Sequence, residues 1–132
     1  MGLRRVARLG DGWLSSAYHT TPDAVAEARG RLARELARVD RRLDGFPCAL
    51  ATMWTYVTED RQLRDAHLRT LAGMLGRPAA TLADQVLVGP ADVCADLLRR
   101  YADAGVDCVF VWPIADDVAQ LERVMHDVVP LV

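Results

Sequence analysis

The spacing of apolar residues changes repeatedly along the chain, and each change marks a boundary between a helix and a strand. Leu3, Val6, Ala7 and Leu9 alternate with Arg4, Arg5 and Arg8, which predicts a short helix stopped by Gly10. Asp11–Ser16 (DGWLSS) reads as a brief strand leaving a glycine turn. Thr21 is then placed to cap a helix that opens on Pro22 and Asp23. Val25, Leu32, Leu36, Val39 and Leu43 share one face of that helix, predicting Pro22 to about Leu43 with Gly45 just past its end. Pro47–Val57 (PCALATMWTYV) is nearly continuous in apolar and β-prone residues, the signature of a strand buried on both faces of a parallel sheet.

The second half repeats the alternation. A helix capped by Thr58 or Asp60 places Leu63, Leu71, Met74 and Leu75 inward and closes at Gly76. Residues 77–89 read as a connector with one helical turn and a short extended piece. Pro90 starts a helix with Val93, Leu97 and Tyr101 on its inner face, and Gly105 stops it. Residues 106–113 (VDCVFVWP) predict another short, fully buried strand. Asp116 or Asp117 caps a last helix with Val118, Leu121, Val124, Met125 and Val128 inward. Strands alternating with helices of this length imply parallel βα units. The fold class is α/β, with about three such units in a single domain spanning residues 1–132.

Composition narrows the function more by exclusion than by assignment. The 132 residues carry a net charge of −2, which leaves no basic excess for nucleic acid. All 16 basic residues are Arg, so a Walker lysine is absent along with G-x-G-x-x-G and H-E-x-x-H. Cys48, Cys94 and Cys108 and the three His are scattered without zinc-ligand spacing, so no metal site is expected. Scattered cysteines suit a reducing cytoplasm, and no apolar run has the length of a signal-peptide core or a membrane span.

Four stretches carry a resemblance: LRRVARLGDGWLSS, ALATMWTYVTED, VGPADVCADLLRRYADAGVDCVFVWP and DDVAQLERVMHDVVP. In this order and spacing they resemble the C-terminal part of the luciferase-like family of flavin- or deazaflavin-dependent oxidoreductases and monooxygenases. The chain departs from that pattern where Pro90 directly follows Gly89 and where Cys108 takes a place often held by His. The resemblance implies a partial TIM barrel holding strands six to eight, with the first five strands outside this chain. It implies FMN or a deazaflavin as cofactor and a small-molecule substrate. The open edges of such a sheet imply a homo-oligomer or a separate barrel front part as partner. The alternative is a non-catalytic α/β module or truncated remnant that self-associates through those edges.

In a TIM barrel the chemistry sits in the loops after the strands. Here these are Ser15–Thr21, Thr58–Asp60 and Trp112–Asp117. His19 is the candidate acid/base or cofactor contact, set against an exposed loop histidine. Ser15 and Ser16 are candidate hydrogen-bond donors to the cofactor, set against turn-forming serines. Trp112 is the candidate stacking surface for a flat ring, set against a core or rim tryptophan. Trp13, Trp54 and Tyr56 read as packing, and Asp11 and Asp107 as turn residues on the opposite end of the sheet.

Overall fold

A computed structural model describes residues 2–132. Its elements are α1 (Gly2–Leu9), β1 (Trp13–Ser16), α2 (Pro22–Ala37), β2 (Cys48–Val57), α3 (Arg61–Leu75), α4 (Ala79–Ala83), β3 (Leu87–Gly89), α5 (Ala91–Asp103), β4 (Cys108–Pro113) and α6 (Asp117–Arg123). A 3₁₀ turn (Ala17–His19) follows β1, and the last helix continues as a π turn (Val124–Val128) and a 3₁₀ turn (Val129–Leu131). The α/β alternation and the parallel sheet are as the sequence predicts, with the extended piece of the connector forming β3.

β2 organises the sheet. Among the described residues β1, β3 and β4 each pair with β2 alone, and every pairing is parallel. β1 runs beside Cys48–Ala51 and β3 beside Thr55–Val57, while β4 pairs across Ala49–Thr55. Between Leu50 and Met53 the register with β4 shifts, since Val109 and Val111 are their partners. Thr52 absorbs the extra residue with φ +56, a value rare for a β-branched side chain. The bulge reverses which residues face each side of the sheet. Leu50 before it and Met53 and Val57 after it all enter the main core, while Trp54 and Tyr56 pack on the other face.

Three apolar clusters follow from this arrangement. The main one joins Leu50, Met53 and Val57 to Val25 of α2, Leu97 and Tyr101 of α5, and Val124 and Val128 at the chain's end. A second seats Leu68 and Leu71 of α3 and Leu82 of α4 over Tyr56 and Val88, with Trp54 at its margin. A third packs Ala7 of α1 against Leu32 and Leu36 of α2 and Phe46.

The caps are largely as expected. Thr21 Oγ1 accepts from Ala24 N (3.3 Å), and Asp60 Oδ1 accepts from the amides of Gln62 (2.7 Å) and Leu63 (3.2 Å). α2 departs from prediction by ending at Ala37 instead of near Leu43. Asp40 takes a left-handed conformation (φ +56), and Arg41 N donates to Leu36 O (3.0 Å), closing the helix in a Schellman turn before Gly45 is reached. Gly105 closes α5 in the same way (φ +89), and a Cβ there would fall on the guanidinium of Arg29.

Several burial expectations are corrected. Leu63 and Met74 of α3 and Val93 of α5, expected inward, are exposed, because α3 buries Leu68 and Leu71 and α5 buries Cys94, Leu97 and Tyr101 instead. β4 is not fully buried: Cys108, Phe110 and Trp112 are exposed while Val109 and Val111 face the core, because helices cover only one side of this strand. The last helix turns Gln120 inward and leaves Val118, Leu121 and Met125 exposed. The reason is a backbone need. Beyond the end of β4, Val57 has no strand partner on that edge, and Gln120 supplies one. Its Oε1 accepts from Val57 N (2.6 Å) and its Nε2 donates to Val57 O (3.4 Å), with Arg123 Nη1 also donating to that carbonyl (2.7 Å). A buried amide left without this partner costs about 1–3 kcal/mol. Gln120→Leu is therefore expected to lower unfolding stability by about that amount in a denaturant titration; a midpoint matching the wild type would show that the side chain does not carry the ladder.

Candidate functional site

The C-terminal ends of the strands form the candidate site, and the bulge and the caps decide what stands there. Ser15 and Ser16 close β1 opposite Leu50 and Ala51. Successive side chains of a strand point to opposite faces, so the two serines part company. Ser15 shares the helix-covered face with Leu50, and Ser16 shares the other face with Ala51. Trp112, 52 % exposed, is on the face of Ser16 and is level with Trp54, whose ring is 5.9 Å away at 42°. Ser16 and Trp112 are two strand spacings apart across the sheet, about 10 Å, and are further offset along it, since Ser16 is level with Ala51 and Trp112 with Trp54 of β2. The sheet thus places Ser16 and Trp112 on one surface and Ser15 on the other.

His19 is exposed on the 3₁₀ turn beyond β1, its ring 4.3 Å from that of Tyr18. The turn itself is held from three sides. Tyr101 Oη donates to Thr20 O (3.2 Å), Arg77 Nη1 donates to Tyr18 O, and Ala17 is buried in the main core. The loop that carries His19 is therefore anchored, although the imidazole itself stands in solvent.

Sequence reasoning missed a second polar group at the end of β2. Tyr56 Oη donates to Asp116 Oδ2 (3.0 Å), and the Tyr56 ring lies 3.8 Å from the ring of His67 on α3. Burial, with the Asp116 carboxylate adding to it, pushes the Tyr56 phenol above its ordinary value. A phenol kept neutral and aimed at a carboxylate is a fixed donor, and it ties the loop after β4 to β2. Asp116 takes a left-handed conformation (φ +53) to reach it. Asp116 is 60 positions from Tyr56 and His67 is on a different element, and no spacing rule links the three. Asp107 acts as the turn residue it was expected to be, accepting from Cys48 N through Oδ2 (2.8 Å).

Among the described residues no group of three or more His, Cys, Asp or Glu is placed to hold a metal ion, and no helix is long and apolar enough to cross a membrane. Trp112 offers an exposed ring, Ser16 a hydroxyl on the same face, and Trp54 a buried indole N–H without a partner among the described residues. Together these fit one wall of a site for a flat, hydrogen-bonding ring. They do not enclose it.

No protein-family model matches the chain, and no curated protein does. Solved structures do. An F420-dependent secondary alcohol dehydrogenase, in complex with an F420-acetone adduct, superposes on 99 % of this chain with a TM-score of 0.82 at 16 % identity. The coenzyme F420-dependent tetrahydromethanopterin reductase from Methanopyrus kandleri superposes on 97 % of it with a TM-score of 0.72, also at 16 % identity. The chain spans 46 % and 47 % of those two proteins, about half of each. The fold is therefore shared with about half of each of these structures, an α/β parallel sheet consistent with the partial barrel that the sequence resemblance implies. Both neighbours are named for F420, the deazaflavin alternative, and neither for FMN.

The loop carrying His19 hangs on Tyr101, which yields a pH prediction. Burial pushes the Tyr101 phenol up from its ordinary 10.0 to about 12, and the buried Cys94 thiol up from 9.0 to about 12. Between those values the unfolded chain has lost protons that the folded chain keeps, so stability falls as pH rises through that window and is intact below it. The two-unit gap of Tyr101 corresponds to about 2–3 kcal/mol. Tyr101→Phe should flatten the alkaline loss seen in denaturant midpoints between about pH 10 and 12, leaving the part that Cys94 begins at about pH 9; an unchanged slope would contradict the assignment.

Proposed function

We propose that this chain forms one wall of the cofactor site of a deazaflavin-dependent oxidoreductase of the luciferase-like class, acting on a small-molecule substrate. The observation that carries the reading is the superposition of nearly the whole chain on two F420-dependent enzymes. The exposed Trp112 and the half-buried Ser16 on one face support it, since a stacking surface and a hydroxyl are what a flat heteroaromatic ring needs. The bound deazaflavin would supply hydride transfer. The chain's own residues orient and cover it: Trp112 packs against the ring, Ser16 hydrogen-bonds to its polar edge, and His19 holds or passes a proton at the rim. Ser15 is on the helix-covered face, level with Leu50. Support runs to the hydride branch and not to the flavin-peroxide monooxygenase branch, because both neighbours are named for F420. Free Cys48, Cys94 and Cys108 fit a reducing cytoplasm.

A second reading, a non-catalytic α/β module, is favoured by one observation, the exposure of Leu14, Phe110 and Trp112 on a sheet with open edges. Titration of F420 into the purified chain separates the two, followed by fluorescence anisotropy with the solution mass measured alongside. Saturable binding is expected, weakened about tenfold by Trp112→Ala, which is the size of a lost ring contact of about 1.4 kcal/mol. A folded chain that shows no saturable binding would overturn the oxidoreductase reading for this chain.

A further inference from the structure

The candidate residues at the strand ends belong to different elements, yet one apolar cluster seats a neighbour of each. Tyr18, beside His19 in the turn after β1, packs against that cluster. So do Trp54, whose ring lies 5.9 Å from that of Trp112, and Ile114 and Ala115 of the loop after β4. Tyr56 is the member of the cluster at the end of β2, the strand that β1 and β4 flank. From α3 the ring of His67 lies against its ring, 3.8 Å away and tilted by 33°. A buried ring packed in this way has one position to occupy.

The hydroxyl adds what the ring cannot. β4 leaves the ladder once Ile114 N has donated to Thr55 O (3.0 Å). The next residue tied back to β2 is Gln120, which holds Val57. Among the described residues the loop between them is bound to β2 by a single side-chain hydrogen bond, from Tyr56 Oη to Asp116 Oδ2 (3.0 Å). Asp116 keeps its left-handed backbone (φ +53) at that point. Such a conformation is costly for a residue other than glycine and persists where its surroundings fix it. Trp112 is half exposed and leans on Trp54. Its ring therefore depends on what holds Trp54 and the loop, and both are held at Tyr56.

We infer that Tyr56 is the positioning residue of the candidate site: its ring seats the Trp54 that backs Trp112, and its bond to Asp116 fixes the loop that follows. Tyr56 is buried and acts through Trp112 instead of touching a ligand. The role rests on Trp112 being a cofactor wall, so its test has one readout that needs no cofactor.

That readout is the fluorine spectrum of the whole chain made with fluorotryptophan. Its signals from Trp13, Trp54 and Trp112 are assigned with Trp13→Phe and Trp112→Phe. Tyr56→Phe keeps the ring and removes the hydroxyl. It is expected to shift or broaden the Trp112 signal while that of Trp13, at the start of β1, stays in place and reports an intact fold. Asp116→Asn keeps an acceptor and tolerates the left-handed backbone, so it should match the wild type. Asp116→Gly keeps the backbone and loses the acceptor, so it should match Tyr56→Phe. F420 binding, followed by fluorescence anisotropy, is the second readout. Tyr56→Phe should weaken it about fivefold alone, but by no more than about twofold when added to Trp112→Ala. Losses that multiply in the double variant would overturn the inference, because Tyr56 would then not act through Trp112. So would a Trp112 signal unmoved by both Tyr56→Phe and Asp116→Gly, whether or not F420 binds. A wild-type chain that binds no F420 but gives the expected fluorine shifts would remove the cofactor reading and leave Tyr56 as the residue that positions Trp112.

Discussion

The pairing of β2 on both its edges is the constraint on which the remaining structure depends. β1, β3 and β4 touch the sheet only through it, and its side chains supply members of both the main core and the α3–α4 cluster. The bulge at Thr52 is what lets one strand serve both. With it, Leu50, Met53 and Val57 all reach the main core, although their spacing breaks strict alternation. Without it, Trp54 and Tyr56 would turn into that core and the residues that seat α3 would be lost. A positive φ at a threonine is costly, of order 1–3 kcal/mol, and persists only because packing on both faces fixes it.

The same strand sets where chemistry can occur. Past β4 its backbone is completed by a glutamine side chain, and past β1 by a turn pinned through Tyr101 and Arg77. These anchors hold the strand ends still while leaving Ser16 and Trp112 on an open surface.

Much of the fold was legible in sequence because its signals are local. Thr21 before Pro22, Asp60 before an apolar run, and Gly76 and Gly105 after one are side-chain or backbone devices that act within a turn. What failed to show was non-local. Asp40 ended α2 early through a conformation that asparagine-like residues tolerate but seldom announce. Gln120 was turned inward by a backbone group 63 positions away, against the apolar pattern of its own helix. β4 reads as buried on both faces because its exposed residues, Cys108, Phe110 and Trp112, are as apolar as its buried ones. Of the candidate site, the loops were legible from the βα alternation, but the sorting of Ser15 from Ser16 needed the register, and the Tyr56–Asp116–His67 group needed the packing of α3.

Amide hydrogen exchange on the purified chain, read residue by residue, tests the central claim most directly. If β2 is the doubly paired centre of an otherwise open sheet, the amides of Leu50 and Val57 exchange among the slowest, and that of Cys108, next to the Asp107 amide that donates to Cys48 O and so pointing off the outer edge, exchanges orders of magnitude faster. Protection of Cys108 equal to that of β2 in a monomer would contradict the account, because it would mean that the chain closes its own edge.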